Sequence, residues 1–157
     1  MKPRRLAVLA LLTPLLVLII PSAATAAAPV SASGSVTQTS FTVTGSRDAD
    51  GVTFFTFTET DRLSGTFTGR SVLSGECIQR STGPILCRAD ETFSGTVLGE
   101  SGTADFLDLI SIDPNSGTFE GRFIVLSGSG GLAGIHGQGT FQGQGTAGTY
   151  SGRLVLG

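Results

Sequence analysis

Ser64-Gly65-Thr66-Phe67-Thr68-Gly69-Arg70 returns almost intact as Ser116-Gly117-Thr118-Phe119-Glu120-Gly121-Arg122. Weaker echoes stand at Gly95-Thr96-Val97-Leu98-Gly99, Gly139-Thr140-Phe141-Gln142-Gly143 and Gly148-Thr149-Tyr150-Ser151-Gly152. Side chains in a strand alternate between two faces, so each copy puts glycine, one large residue and glycine on one face. Ser, Thr, Gln, Glu and Arg fall on the other. A sheet that coils tightly crowds its concave face; glycines relieve the crowding there and isolated aromatics fill the centre. Alternating small and large inward residues are what a small closed barrel requires. The copies are unequally spaced, which excludes a solenoid.

Working outward, Val, Thr and Phe alternate with Ser and Gly, and nothing reads as a long helix. Strands are predicted at Ser35–Thr44, Val52–Thr60, Ser64–Ile78, Cys87–Leu98, Thr103–Ile112, Gly117–Leu126, Gly137–Gln142 and Thr149–Leu156. Asp48 to Gly51, Asp61-Arg62, Ser81 to Pro84, Gly99 to Gly102 and Asp113 to Gly117 supply turn residues. The expected fold is all-β, an eight-stranded antiparallel up-and-down barrel. An open β-sandwich is the alternative, disfavoured because closure removes the exposed edges that a glycine-rich sheet offers to neighbours.

The chain begins as an export signal. Met1-Lys2-Pro3-Arg4-Arg5 carries positive charge, Leu6 to Ile20 is apolar, and Ala24-Thr25-Ala26 satisfies the A-x-A cleavage pattern. The apolar run falls short of the ~20 residues that span a bilayer. Residues 1–26 are therefore expected to be a signal peptide, 27–34 a polar leader and 35–157 one barrel domain. The expected location is secreted, in the medium or on the exterior of the cell envelope, with no membrane contact after cleavage. Residues 27–157 hold seven arginines, no lysine and twelve acids, a formal charge of −5. That balance disfavours nucleic acid as a partner.

Cys77 and Cys87 are the only cysteines. In an oxidising compartment an even pair forms a disulfide, and closing so short a loop contributes somewhat under ~3 kcal/mol. A metal site would need further ligands, and His136 is the only histidine; neither metal nor cofactor is expected.

Glu120 to Phe141, reading EGRFIVLSGSGGLAGIHGQGTF, resembles the C-terminal part of an uncharacterised bacterial domain family with an allene-oxide-cyclase-like barrel. The pattern is a strand, Gly-Ser-Gly, a Leu-x-Gly-Ile segment, then Gly-x-Gly-Thr-Phe. Dirigent proteins and plant allene oxide cyclases share a looser form. The resemblance implies an eight-stranded antiparallel barrel and self-association as in the plant relatives; it implies no activity. The export signal and the cysteine pair are not part of the family pattern.

Few residues offer chemistry. His136 should point outward with Gln138 and Thr140, because Ile135, Gly137 and Gly139 share the parity of Phe141. Arg70, Arg122 and Arg153 fall on the polar face and would make an anion-binding stripe only on neighbouring strands. Ser127-Gly128-Ser129-Gly130-Gly131 lacks the Lys-Ser/Thr of a phosphate loop and reads as a loop before a tucked segment holding Leu132 and Ile135. Two carboxylates share parity with apolar residues and are the catalytic candidates: Glu91 with Phe93 and Val97, and Asp108 with Phe106 and Ile110. Leu107 and Leu109 would instead turn Asp105 inward. A carboxyl inside an apolar barrel would have a raised pKa and could act as acid or base. Taking Asp61-Arg62 as a two-residue turn puts Phe54 inside and Phe55 and Phe57 outside, where they are expected to form a homo-oligomer interface or partner site.

The expected function is that of a secreted non-catalytic barrel binding a small apolar ligand or another protein surface. One alternative is a cyclase- or dirigent-like enzyme acting on a hydrophobic substrate. The other is a structural or self-assembling surface module. The interior discriminates among them: filled, hollow and apolar, or hollow with a buried carboxyl.

Overall fold

The computed structural model describes residues 27–157; the expected signal segment and its cleavage site lie outside the described residues. Eight strands follow one another: β1 (Val30–Ala49), β2 (Val52–Gly65), β3 (Phe67–Arg80), β4 (Ile85–Val97), β5 (Glu100–Ile112), β6 (Thr118–Gly130), β7 (His136–Gln144) and β8 (Ala147–Val155). Each pairs antiparallel with the next, and β8 pairs with β1 from Val30↔Leu154 to Thr37↔Ala147, so the single sheet closes into a ring. Up-and-down order places the β1–β2, β3–β4, β5–β6 and β7–β8 turns at one end and the remaining connections at the other.

The repeat is explained by how rings lie on glycines. Gly139 of β7 and Gly152 of β8 are register partners, and Phe123 of β6, opposite Gly139, covers both. A Cβ on Gly152 would come 2.8 Å from the Gly139 Cα and 3.0 Å from the Phe123 Cζ. Gly143 and Gly148 lie under Phe119 in the same way, and the partners Gly69 and Gly95 lie under Phe93. Each large residue thus needs paired glycines to lie on, and removing Cβ atoms lets the wall curve beneath it.

Phe67 stands at the centre of the main core, making edge contacts with Phe93, Phe106, Phe123 and Tyr150 at centroid distances of 5.4 to 6.5 Å. The Tyr150 hydroxyl donates to the Ser64 carbonyl (3.0 Å) and accepts from the Phe67 amide (2.8 Å), fastening β8 to the β2–β3 connection. Leu132 and Ile135, both fully buried, plug this end of the ring. A second cluster holds Phe57, Leu73, Ala89, Cys77 and Cys87 near the opposite end. Cys77 and Cys87 are directly opposite each other across β3 and β4 and are joined by a disulfide.

The strand limits differ from expectation in three informative places. Asp61 and Arg62 do not turn: β2 runs unbroken to Gly65, whose φ of +100° makes the bend that glycine accommodates. β1 begins at Val30, inside the expected leader, because Ala32 and Gly34 face the interior and the segment closes the ring against β8. The glycine-rich Ser127 to Gly130 is the end of β6 rather than a loop, and the tucked segment starts at Gly131.

Candidate functional site

The unbroken β2 sets the site. Phe55, Phe57, Glu59, Asp61 and Leu63 alternate on one face, and that face is the interior. Phe55 and Phe57 therefore do not form the expected outer contact surface: Phe57 is 2 % exposed, and both line a cavity. The reversal follows from the missing turn at Asp61-Arg62, since a strand that continues keeps its parity. Phe54 is the ring that faces outward, with the Arg47 guanidinium 4.1 Å above it. Self-association accordingly loses the residues expected to carry it.

The cavity has a volume of about 200 Å³. Phe67, Phe123 and Tyr150 form its floor, and Phe55, Phe57, Leu73, Ile110, Phe119 and the disulfide form its walls. It opens at the end away from the Leu132–Ile135 plug, where Gly117, Gly145 and Thr146 form the rim. The β1–β8 ladder stops at Thr37, with one further bond from the Gln38 amide to the Thr146 carbonyl (2.8 Å), and from Ser40 onward β1 continues beyond the ring paired with β2. Phe41 projects from this arm, stacked on Phe57 at 5.3 Å and 46 % exposed; Val43, at 51 %, follows on the same face. The result is an apolar mouth, flared on one side, above an aromatic floor.

Four carboxyls enter this space: Glu59 and Asp61 from β2, Glu91 from β4 and Asp108 from β5. Asp61 and Asp108 are buried, at 7 % and 3 % exposure. Glu59 lies beside Asp61, and Glu91 beside Asp108 and Ser71. Among the described residues, one oxygen each of Asp61 and Asp108, and the Ser71 hydroxyl, are buried without a hydrogen-bond partner. No Arg, Lys or His lines the cavity among these residues. Burial penalises the charged form and the neighbouring carboxyls add repulsion. Asp61 is pushed up to about 8, first by desolvation and then by the charge of Glu59. Asp108 is raised well above the usual carboxylate range by burial and then by Glu91, and burial raises Glu91 as well.

Glu91 and Asp108 thus both face the interior. Asp105 faces out, accepting from Thr92 (3.0 Å) and Ser127 (2.8 Å) hydroxyls. Glu59 and Asp61 were missed for the same reason that Phe55 and Phe57 were misplaced. The available signal was the alternation Phe55-x-Phe57-x-Glu59-x-Asp61-x-Leu63 with no Gly, Pro or Asn inside it. His136 is exposed, its Nδ1 3.0 Å from the Gly134 carbonyl oxygen that accepts from it. Arg70, Arg122 and Arg153 are exposed on β3, β6 and β8, no two of which are adjacent, so no continuous stripe forms.

These features define a class: a ring of eight antiparallel strands, plugged at one end and hollow and acid-lined at the other. The chain is similar in fold to a protein of unknown function of the DUF3224 family from Shewanella oneidensis MR-1. That likeness has a TM-score of 0.65 and 15 % identity, over 83 % of this chain and 98 % of that one. No protein-family profile and no curated protein matches the sequence.

Proposed function

We propose that this chain is a secreted, non-catalytic module that holds a small apolar ligand in the open end of its ring, within an allene-oxide-cyclase-like barrel. The observation that carries the reading is the cavity: about 200 Å³, walled largely by Phe, Leu and Ile around four carboxyls. An apolar cavity of ~150 Å³ is enough to bind benzene, so this one suits a ring or a short alkyl chain. A partly apolar pocket with a few convergent polar groups is the usual form of a small-molecule site. The disulfide is compatible with an oxidising location. Native mass spectrometry of protein purified from its own host tests the reading. A retained small molecule released on unfolding supports it. Failure to retain or take up any apolar compound, including a fluorescent apolar probe, refutes it.

A cyclase-like activity on a hydrophobic substrate is the second reading, favoured by the buried carboxyls. Burial and then the charge of Glu91 raise the Asp108 carboxyl well above the usual carboxylate range, which suits it to give a proton to a reacting group. Loss of turnover with retained ligand binding in Asp108→Asn would favour it over simple binding.

A further inference from the structure

The cavity holds a surplus of acceptors. Glu59, Asp61, Glu91 and Asp108 approach it from three strands, and all seven arginines of residues 27–157 are exposed on the outside. A buried carboxyl without a partner is costly and is relieved in two ways, by taking a proton or by meeting a cation. Two of these acids are more than nine-tenths buried, line the cavity and leave an oxygen unpaired. A metal ion does not suit the arrangement: among the described residues, no group of three acidic, histidine or cysteine side chains is placed to hold one. An ammonium group does. It brings three donors and no acceptor, which complements a set of carboxyls that becomes acceptor-only once ionised. A quaternary ammonium would give the carboxyls no hydrogen bond.

We infer that the ligand of this cavity is an apolar primary amine, its hydrocarbon part against Phe55, Phe57 and Ile110 and its ammonium among Asp61, Asp108, Glu91 and Glu59. The inference rests on the reading of the cavity as a ligand site and adds the chemical class that it selects. The titratable groups facing the ammonium are those four acids and the Tyr150 hydroxyl on the floor. Bound ammonium stabilises the ionised carboxyls, so binding near neutral pH releases protons to the solvent.

The test compares octylamine with octanol, matched in chain and different in charge, by isothermal titration calorimetry at pH 7. Octylamine should bind at least tenfold more tightly. Its apparent enthalpy should change with the ionisation enthalpy of the buffer, reporting proton release. In Asp61→Asn/Asp108→Asn the preference should collapse while octanol affinity stays within about twofold; the outward Asp90→Asn should leave the preference intact. Equal binding of the two compounds by the unaltered protein overturns the amine inference and leaves the cavity reading standing. Binding of neither overturns both. If the double variant does not fold, the buffer dependence in the unaltered protein decides: no proton release with octylamine overturns the inference.

Discussion

Asp61 makes the stability of this protein depend on pH in a direction opposite to the usual one. Its carboxyl moves from an ordinary 3.8 to about 8 on folding, first because the cavity desolvates it and then because Glu59 repels its charged form. Between these two values the folded state holds a proton that the unfolded state has released. Stability therefore falls as pH rises across that interval. The contribution is complete below about pH 4 and is lost by about pH 8. Each bound proton contributes a slope of about 1.4 kcal/mol per pH unit, so a shift of this size has a ceiling of roughly 6 kcal/mol. Water at the cavity mouth screens the group, and the acids of the cavity share their protons, so an observed loss of about 2–4 kcal/mol is expected. Asp108 and Glu91, also raised, act in the same direction. Asp113, lowered by hydrogen bonds from Asn115 and Ser116, acts oppositely but only at pH values below that interval. Urea unfolding at half-unit steps from pH 4 to 8 measures the profile. Asp61→Asn should make it clearly shallower and raise stability at pH 8, where the native carboxyl is about half ionised. A flat or rising profile in the unaltered protein, or an unchanged slope in Asp61→Asn, would refute the account of a desolvated carboxyl.

Tyr150→Phe removes the hydroxyl that serves both Ser64 and Phe67, and should cost about 1–3 kcal/mol with an unchanged urea m-value. Gly152→Ala drives a methyl group against the Gly139 backbone and the Phe123 ring; a loss of about 1–3 kcal/mol is expected, and a neutral result would remove the packing explanation of the repeat. Cys77→Ser should lower stability by less than ~3 kcal/mol and leave the fold intact by circular dichroism. The exported protein should begin at Ala27 by intact mass, and retention of residues 1–26 in a membrane fraction would overturn both the signal peptide and the secreted location.

The acid-lined cavity shows how one local decision propagates. Asp61-Arg62 has the composition of a turn, and treating it as one inverts the parity of everything before it in β2. Turn propensity is worth little against a register in which twelve residue pairs bind β2 to β3. The ambiguity at Asp105 and Asp108 had a different origin. Phe106, Ile110 and Ile112 compete there with Leu107 and Leu109, and both faces of β5 are partly covered. Apolar count alone cannot break that tie; the neighbours can, because Asp105 finds hydroxyls on both flanking strands whereas Asp108 finds only the interior.

By itself the sequence determined the all-β class, eight alternating strands and the glycine–aromatic repeat. It also specified the paired cysteines, the inward packing of Leu132 and Ile135, and the shared parity of Glu91 with Phe93 and Val97. All of these follow from local rules, the period of two and the chemistry of small and large residues. Only the tertiary structure decided that the ring closes through β1 and β8, that one end is plugged and the other hollow, and that Glu59, Asp61, Glu91 and Asp108 meet in the hollow end. The physical reason is that closure and convergence depend on register between strands distant in sequence, with β1 meeting β8 more than a hundred residues on. No period within a single strand encodes where its neighbour's side chains will stand.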